Sequence, residues 1–483
     1  MAGLSLFTGL SGNTGLWNGN TGLWGGATGL ISGSGGVNPF PGARLYLNML
    51  SGILDSRVTF TRASTATFVG SNGLIQTAAI NAPRFDYNPV TLAPLGLLIE
   101  EARTNLLTYS ADITDAVWLM LGSAGASRTA NVTAAPDGTT TADRYTVGTG
   151  SGAWYIANYA NPNITSGQAY TSSVYVKANG LNFVFVRPHN NSVNFGASGF
   201  IVSLIDGTIT YPSSPTLPAS TGTVTNAGNG WWRITATSTA NATVTPTTGG
   251  PGIWPCNSVN FSATNGTAPA NFTGDGVSGI FIWGAQLEAG RFATSYIPTG
   301  AATATRNADI ATMTGTNFSS WYNASEGTFF ASFEASPNTF TTYLAASNGV
   351  VAQNSMHMDN DGAGNMRSAY YSGSSAVALL GLGVVGPLGA VNNMATAYRV
   401  NDFAASRNGA AVVVDTLGAV PVGVTQLNIG ADPSGAAVNV SNTHIRQVVY
   451  YNTRLPNAQL QTLSELPLIT TLSLDFLNGV YEG

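Results

Sequence analysis

Short runs that alternate apolar and polar residues, each closed by Gly, Asn or Pro, constrain this chain more than any other feature it has. A period of two puts one set of side chains on each face of a pleated strand, and closely spaced turn residues keep the strands short. Ala169–Lys177 alternates in this way, as do Asn182–Arg187, Trp231–Thr237, Thr328–Phe333 and Ile445–Tyr451. Helical spacing shows at Pro456–Ser464, where Pro456 suits a first turn because its missing N–H is not needed there. Ala458, Leu460 and Leu463 then recur at helical intervals. The pattern predicts a mainly β protein: two β-sandwich (jelly-roll) modules in tandem, one short helix, and an extended N-terminal segment.

That segment, residues 1–36, follows a rule of its own. Thr-Gly-Leu begins at Thr8, Thr14, Thr21 and Thr28, and two copies run on into Trp17 and Trp24. An apolar period near seven invites a coiled coil, but two Gly per repeat would each cost a helix about 1 kcal/mol relative to Ala. An extended strap is expected instead. Alone it cannot bury Leu10, Leu16, Trp17, Leu23, Trp24 and Leu30, so it reads as an anchoring peptide that needs a partner surface. That surface is either the same segment of trimer mates or another protein. A flexible Gly-rich leader is the alternative.

Charge narrows the function classes. Only 8% of residues are charged, against about 25% in typical soluble proteins. The 10% aromatic content argues against disorder. With 17 basic and 22 acidic residues and no basic stripe, no nucleic-acid partner is expected. No run of about 18 apolar residues occurs, so no membrane span is expected. The N-terminus lacks the positive start and continuous apolar core of a signal peptide, which predicts synthesis in the cytoplasm and exit by another route. A single cysteine, Cys256, excludes an intrachain disulfide and a Cys-based metal cluster.

Composition divides the rest of the chain. A Gly/Ser hinge at Ser32–Gly36 precedes a lead-in or connector at 37–103. A first sandwich at 104–300, a linker at 301–325 and a second sandwich at 326–466 follow, then a tail at 467–483. In the tail, Leu474–Glu482 aligns without gaps on Leu47–Asp55 and shares its Leu, Leu and Gly.

Two blocks carry a resemblance. The first is Val58–Ser110, with Val-Thr-Phe-Thr-Arg-Ala-Ser-Thr-Ala-Thr-Phe-Val-Gly from Val58, Pro-Arg-Phe-Asp from Pro83, and Gly-Leu-Leu-Ile-Glu-Glu-Ala-Arg-Thr-Asn-Leu-Leu from Gly96. The second runs Trp-Gly-Ala-Gln-Leu-Glu-Ala-Gly-Arg-Phe-Ala-Thr-Ser-Tyr-Ile-Pro-Thr from Trp283, followed by Thr-Arg-Asn-Ala-Asp at Thr305–Asp309. They resemble blocks of modular fibre, spike and tail proteins of bacteriophages and related particles. There, such blocks bracket a jelly roll similar to carbohydrate-binding modules, and Gly230–Ile234 looks like one of its core strands. Glu326–Leu466 resembles a concanavalin-like or laminin-G-like sandwich.

The resemblance implies a virion protein made in the host cytoplasm. It would be a tail or head fibre or spike attached to host-surface polysaccharide; the apolar repeats, which lie outside the resemblance, add the expectation of a homotrimer held to other virion proteins by residues 1–36. A purely structural decoration or connecting fibre is the alternative. A polysaccharide depolymerase tailspike is a second one, disfavoured by the lack of a solenoid repeat.

No catalytic motif stands out, and no enzyme is expected: there is no Gly-x-Ser-x-Gly elbow, phosphate-binding loop or His-Glu-x-x-His. His189, His357 and His444 fall at unrelated positions and read as surface or strand residues. Glu100–Glu101 is a carboxylate pair, but neighbours on a strand point to opposite faces, and Arg103 offers local pairing. Asp359-Asn-Asp-Gly362 reads as a turn rather than a Ca²⁺ loop, since no Glu follows at the required spacing. No cofactor is expected.

Sugar recognition needs flat rings beside amides and carboxylates. The candidates are Trp154 and Tyr155, Trp254 near Asn257, and Tyr370 with Tyr371. Trp254, between Pro251-Gly252 and Pro255, is expected on a loop. Trp231 and Trp232 are adjacent and should face opposite sides.

Overall fold

The computed structural model describes residues 39–465, except 123, 161, 189–194, 196–198, 214–219, 242, 244–249, 263–267, 338–339 and 434–438. The strap residues Leu10, Leu16, Trp17, Leu23, Trp24 and Leu30, His189, and the tail echo at Leu474–Glu482 lie outside the described residues. Within them the chain is mainly β, in sandwich modules, and the expected strands form at Ala169–Asn179, Phe183–Arg187, Trp231–Thr239, Glu326–Glu334 and Thr443–Tyr451.

One sandwich is built from residues 106–300. One six-stranded sheet runs Thr221–Asn226, Trp231–Thr239, Ala169–Asn179, Gly279–Ala289, Ala142–Thr146, Ser127–Thr133. The other runs Ile209–Thr210, Phe200–Ser203, Phe183–Arg187, Gly252–Cys256, Trp154–Asn158, Trp118–Gly122. Trp118, Trp154, Tyr145, Val184, Phe200 and Ile282 are buried between them.

The other sandwich draws strands from both sides of the first. In its eight-stranded sheet, Thr443–Tyr451 pairs with Glu326–Glu334 along one edge. Its other edge is shared by Leu45–Asn48, opposite Gln447–Tyr450, and Pro94–Ile99, opposite Thr443–Ile445. In the facing seven-stranded sheet, Thr59–Thr61 pairs with Ile310–Thr314. The stretch read as a connector (37–103) and part of the stretch read as a linker (301–325) are therefore strands of this outer sandwich. Leu45, Leu47, Leu97, Ile99 and Met313 are buried in its core beside Phe329 and Tyr450. Pairing partners so far apart in sequence leave no local signal, which is why these segments read as connectors.

The chain enters and leaves the inserted sandwich through a two-stranded neck. Arg103–Asn105 pairs antiparallel with Ala304–Arg306, and the hydroxyls of Thr104 and Thr305 lie 2.7 Å apart across it. The helix forms at Asn457–Glu465 and lays Leu460 and Leu463 on the outer face of the eight-stranded sheet, against Phe40, Tyr46 and Phe330.

A bulge orients the inserted sandwich. The register between Ala169–Asn179 and Gly279–Ala289 slips between Ser173 and Tyr175, opposite Gly284, which has φ 62°. An extra residue reverses the alternation of the strand beyond it. Before the bulge Ile280 and Ile282 enter the core, and after it Ala285 and Leu287 do. Trp283, Gln286 and Glu288 thereby face outward, where Trp283 packs on Tyr175 and Tyr296. Only a residue tolerant of positive φ serves at Gly284.

Candidate functional site

The two resembling blocks converge on one buried ion cluster at the junction of the sandwiches. All but one of the chain's 17 basic residues are arginine, the exception being Lys177. Arg62 Nη1 donates to Asp309 Oδ1 at 3.0 Å, and Arg84 bridges Asp309 and Glu100, the latter at 2.7 Å. Arg306 reaches Glu100 at 2.8 Å. Arg62, Arg84 and Arg306 are 0–1% exposed. The guanidinium fork suits such sites because it bonds carboxylates through more than one N–H.

From the inserted sandwich, the backbone N–H and hydroxyl of Ser295 both donate to Glu100, each at 2.7 Å. Burial alone would raise Glu100; the charges of Arg306 and Arg84 and the Ser295 bonds outweigh it and hold the carboxyl well below its usual range. Glu101 pairs locally with Arg103 at 2.5 Å, as expected, whereas Glu100 spans the junction.

Beside this cluster, His444 on Thr443–Tyr451 lies between two carboxylates. Its Nδ1 is 2.6 Å from Glu334 and its Nε2 is 2.9 Å from Asp86. Burial lowers the affinity of the imidazole for its proton, but the Glu334 charge and the bonds to Asp86 and Glu334 outweigh it and raise the pKa to about 10. His444 is therefore a cation at neutral pH, and Arg446 shares Glu334 with it at 3.1 Å. A cavity of about 200 Å³ opens over both groups, walled by both sandwiches.

The sugar-site candidates separate. Tyr155 and Trp254 come together on the outer face of one sheet of the inserted sandwich, stacked at 4.5 Å and 19° between planes. The guanidinium of Arg187 lies 5.2 Å from the Trp254 ring, and Phe185 meets that ring edge-on at 5.0 Å. Trp254 is 5% exposed, Tyr155 is half-buried, and Asn257 is exposed just past the strand end.

Trp254 thus sits on the strand Gly252–Cys256 and not on a loop. The strand tolerates Pro255 because pairing with Trp154–Asn158 covers only Gly252 and Ile253, so the missing N–H breaks no ladder on that side.

Trp154 points the other way and is fully buried against Phe272. Tyr370 is also fully buried, with its hydroxyl 2.6 Å from Thr396 Oγ1, while half-buried Tyr371 faces His357. Zero exposure leaves Trp154 and Tyr370 no ring face for a ligand.

His357 is buried, and burial together with the Arg367 charge lowers its pKa to about 4. Asp359 pairs with Arg367 at 2.7 Å, and Asp361 accepts from the N–H groups of Ala363 and Asn365, so the tight turn begins at Asp361. Trp231 and Trp232 take opposite faces, and the Trp232 indole donates to Leu204 O at 2.8 Å.

The residues missed by sequence reasoning are Arg62, Arg84, Asp86, Arg306, Asp309, Glu334, His444 and Arg233. For Arg62, Arg84, Asp86, Arg306 and Asp309 the available signal was the recurrence of Arg and Asp inside the two blocks of a chain with few charges; Arg233, Glu334 and His444 lie outside the blocks.

No family model matches the chain, and no curated protein matches it. Among solved structures, the CBM40 of the Ruminococcus gnavus IT-sialidase bound to alpha2,3 sialyllactose matches with a TM-score of 0.27 at 16% identity, over 30% of this chain and 84% of that one. The NanB sialidase from Streptococcus pneumoniae matches at 0.27 and 14% identity, over 32% of this chain and 26% of that one. Trypanosoma rangeli sialidase in complex with sialic acid matches at 0.25 and 12% identity, over 67% of this chain and 60% of that one.

Proposed function

We propose that this chain is a non-enzymatic adhesion subunit of a virion fibre or spike, and that its inserted sandwich binds a glycan at the Tyr155–Trp254 face. The observation that carries the glycan reading is the stacked pair itself. Trp254 fixes the Tyr155 ring, half-buried Tyr155 keeps part of its surface in solvent, and the exposed Asn257 offers an amide to hydroxyls. A fixed flat ring beside polar groups suits the C–H face and the hydroxyls of a sugar.

The virion setting is supported by the resemblance of the blocks at Val58–Ser110 and Trp283–Asp309, and the trimer and the anchoring role of residues 1–36 by the apolar repeats. Weak single sites would suffice, because several copies on one particle multiply affinity by about 10²–10⁴. Adsorption of particles carrying Tyr155→Ala tests this reading. Reduced adsorption at normal incorporation supports it, and unchanged adsorption removes this face from the account.

A further inference from the structure

The cavity at the junction is lined by Asp86, Glu100 and His444 of the outer sandwich and by Tyr175, Arg233 and Ser295 of the inserted one. Its charges do not balance. Beneath it, three buried arginines (Arg62, Arg84, Arg306) face two carboxylates, Glu100 and Asp309. At its side, His444 and Arg446 are matched by Asp86 and Glu334. Arg233 adds a further cation, with no carboxylate in ion-pair contact among the described residues. Glu288, buried and close enough to feel its charge, accepts from Thr294 and Gln286, and with it counted the cations still outnumber the carboxylates by six to five.

Arg233 also has bonding capacity to spare. One terminal nitrogen, Nη2, donates to Thr294 O and Ser173 Oγ, while the other, Nη1, has no hydrogen-bond partner among the described residues. A guanidinium edge so placed matches a carboxylate. The volume of about 200 Å³ exceeds what one small inorganic anion fills and lies below the roughly 300 Å³ where pockets for drug-sized ligands begin. Half-buried Phe68 on the wall offers a ring to C–H groups, and Asp86 offers carboxylate oxygens to hydroxyls.

We propose that this cavity binds a carboxylate-bearing monosaccharide unit, of the hexuronic acid class, with Arg233 holding the carboxylate. The site is separate from the Tyr155–Trp254 face, so either can fail while the other stands. The test is titration of the full chain with glucuronate and with glucose, followed by NMR or calorimetry, in wild type, Arg233→Gln, Arg233→Lys and Tyr155→Ala. Glucuronate should bind at least about tenfold more tightly than glucose. That preference should vanish in Arg233→Gln, weaken in Arg233→Lys, which keeps the charge without the fork, and persist in Tyr155→Ala.

Thermal melting of each variant reports folding; should Arg233→Gln not fold, Arg233→Lys decides. Equal binding of the neutral sugar, or full glucuronate affinity in the arginine variants, overturns the proposal. So does loss of binding in folded Tyr155→Ala, which would assign the acid to the aromatic face.

Discussion

Arg62 and Asp309 stand 247 residues apart in sequence and meet at 3.0 Å with both side chains fully buried. This pair ties the lead-in of the outer sandwich to the segment that follows the inserted one. Asp309→Asn would leave Arg62, Arg84 and Arg306 facing Glu100 alone. Breaking a buried pair from one side costs about 3–5 kcal/mol. Chemical denaturation should show a loss of that size; a change below about 1 kcal/mol would mean that water or another group takes over the charge.

His444 should make stability depend on pH on the alkaline side. Its folded pKa, about 10, lies above its ordinary 6.5. A group raised on folding contributes fully below the ordinary value and loses its contribution as pH climbs through the folded one. The melting temperature of wild type minus that of His444→Gln should be constant below about pH 6.5 and shrink toward pH 10. A difference that grows with pH would contradict the cationic assignment.

Trp254 and Tyr155 should part company under mutation. Trp254→Ala empties a buried position between Tyr155 and Phe185 and should cost about 3–5 kcal/mol. Half-buried Tyr155→Ala should cost about 1 kcal/mol while removing glycan binding at the aromatic face. Equal melting shifts for the two would show that Tyr155 is as much a core residue as Trp254.

The neck makes the inserted sandwich removable. Thr104 and Thr305 are already paired, so a short Gly/Ser linker replacing residues 107–299 joins ends that lie together. The outer sandwich should still melt cooperatively, at a lower temperature, because Glu100 loses both bonds from Ser295. Loss of cooperative melting would show that the two sandwiches fold as one unit.

What the sequence disclosed follows from the range of each signal. Alternation is local, and it placed strands such as Ala169–Asn179 and the two faces of Trp231 and Trp232. Pairing of Leu45–Asn48 with Thr443–Tyr451 is not local, so the lead-in read as a connector. Pro255 read as a loop residue because the end of a ladder cannot be seen in one strand alone. The ring candidates were chosen by residue type, which cannot tell Trp154, turned into the core, from its neighbour Tyr155, turned out. The charges of the buried ion cluster lay inside the recognised blocks, but only the fold shows that Arg84, Glu100, Ser295 and Asp309 meet.

Glycan recognition through the inserted sandwich is tested most directly by binding of the purified chain to a panel of immobilised bacterial surface polysaccharides, with the soluble fraction assayed for released sugar. The account predicts binding to a restricted set, lost for neutral polysaccharides in folded Tyr155→Ala, with no sugar released. Binding to none of the panel, or binding accompanied by depolymerisation, would contradict it.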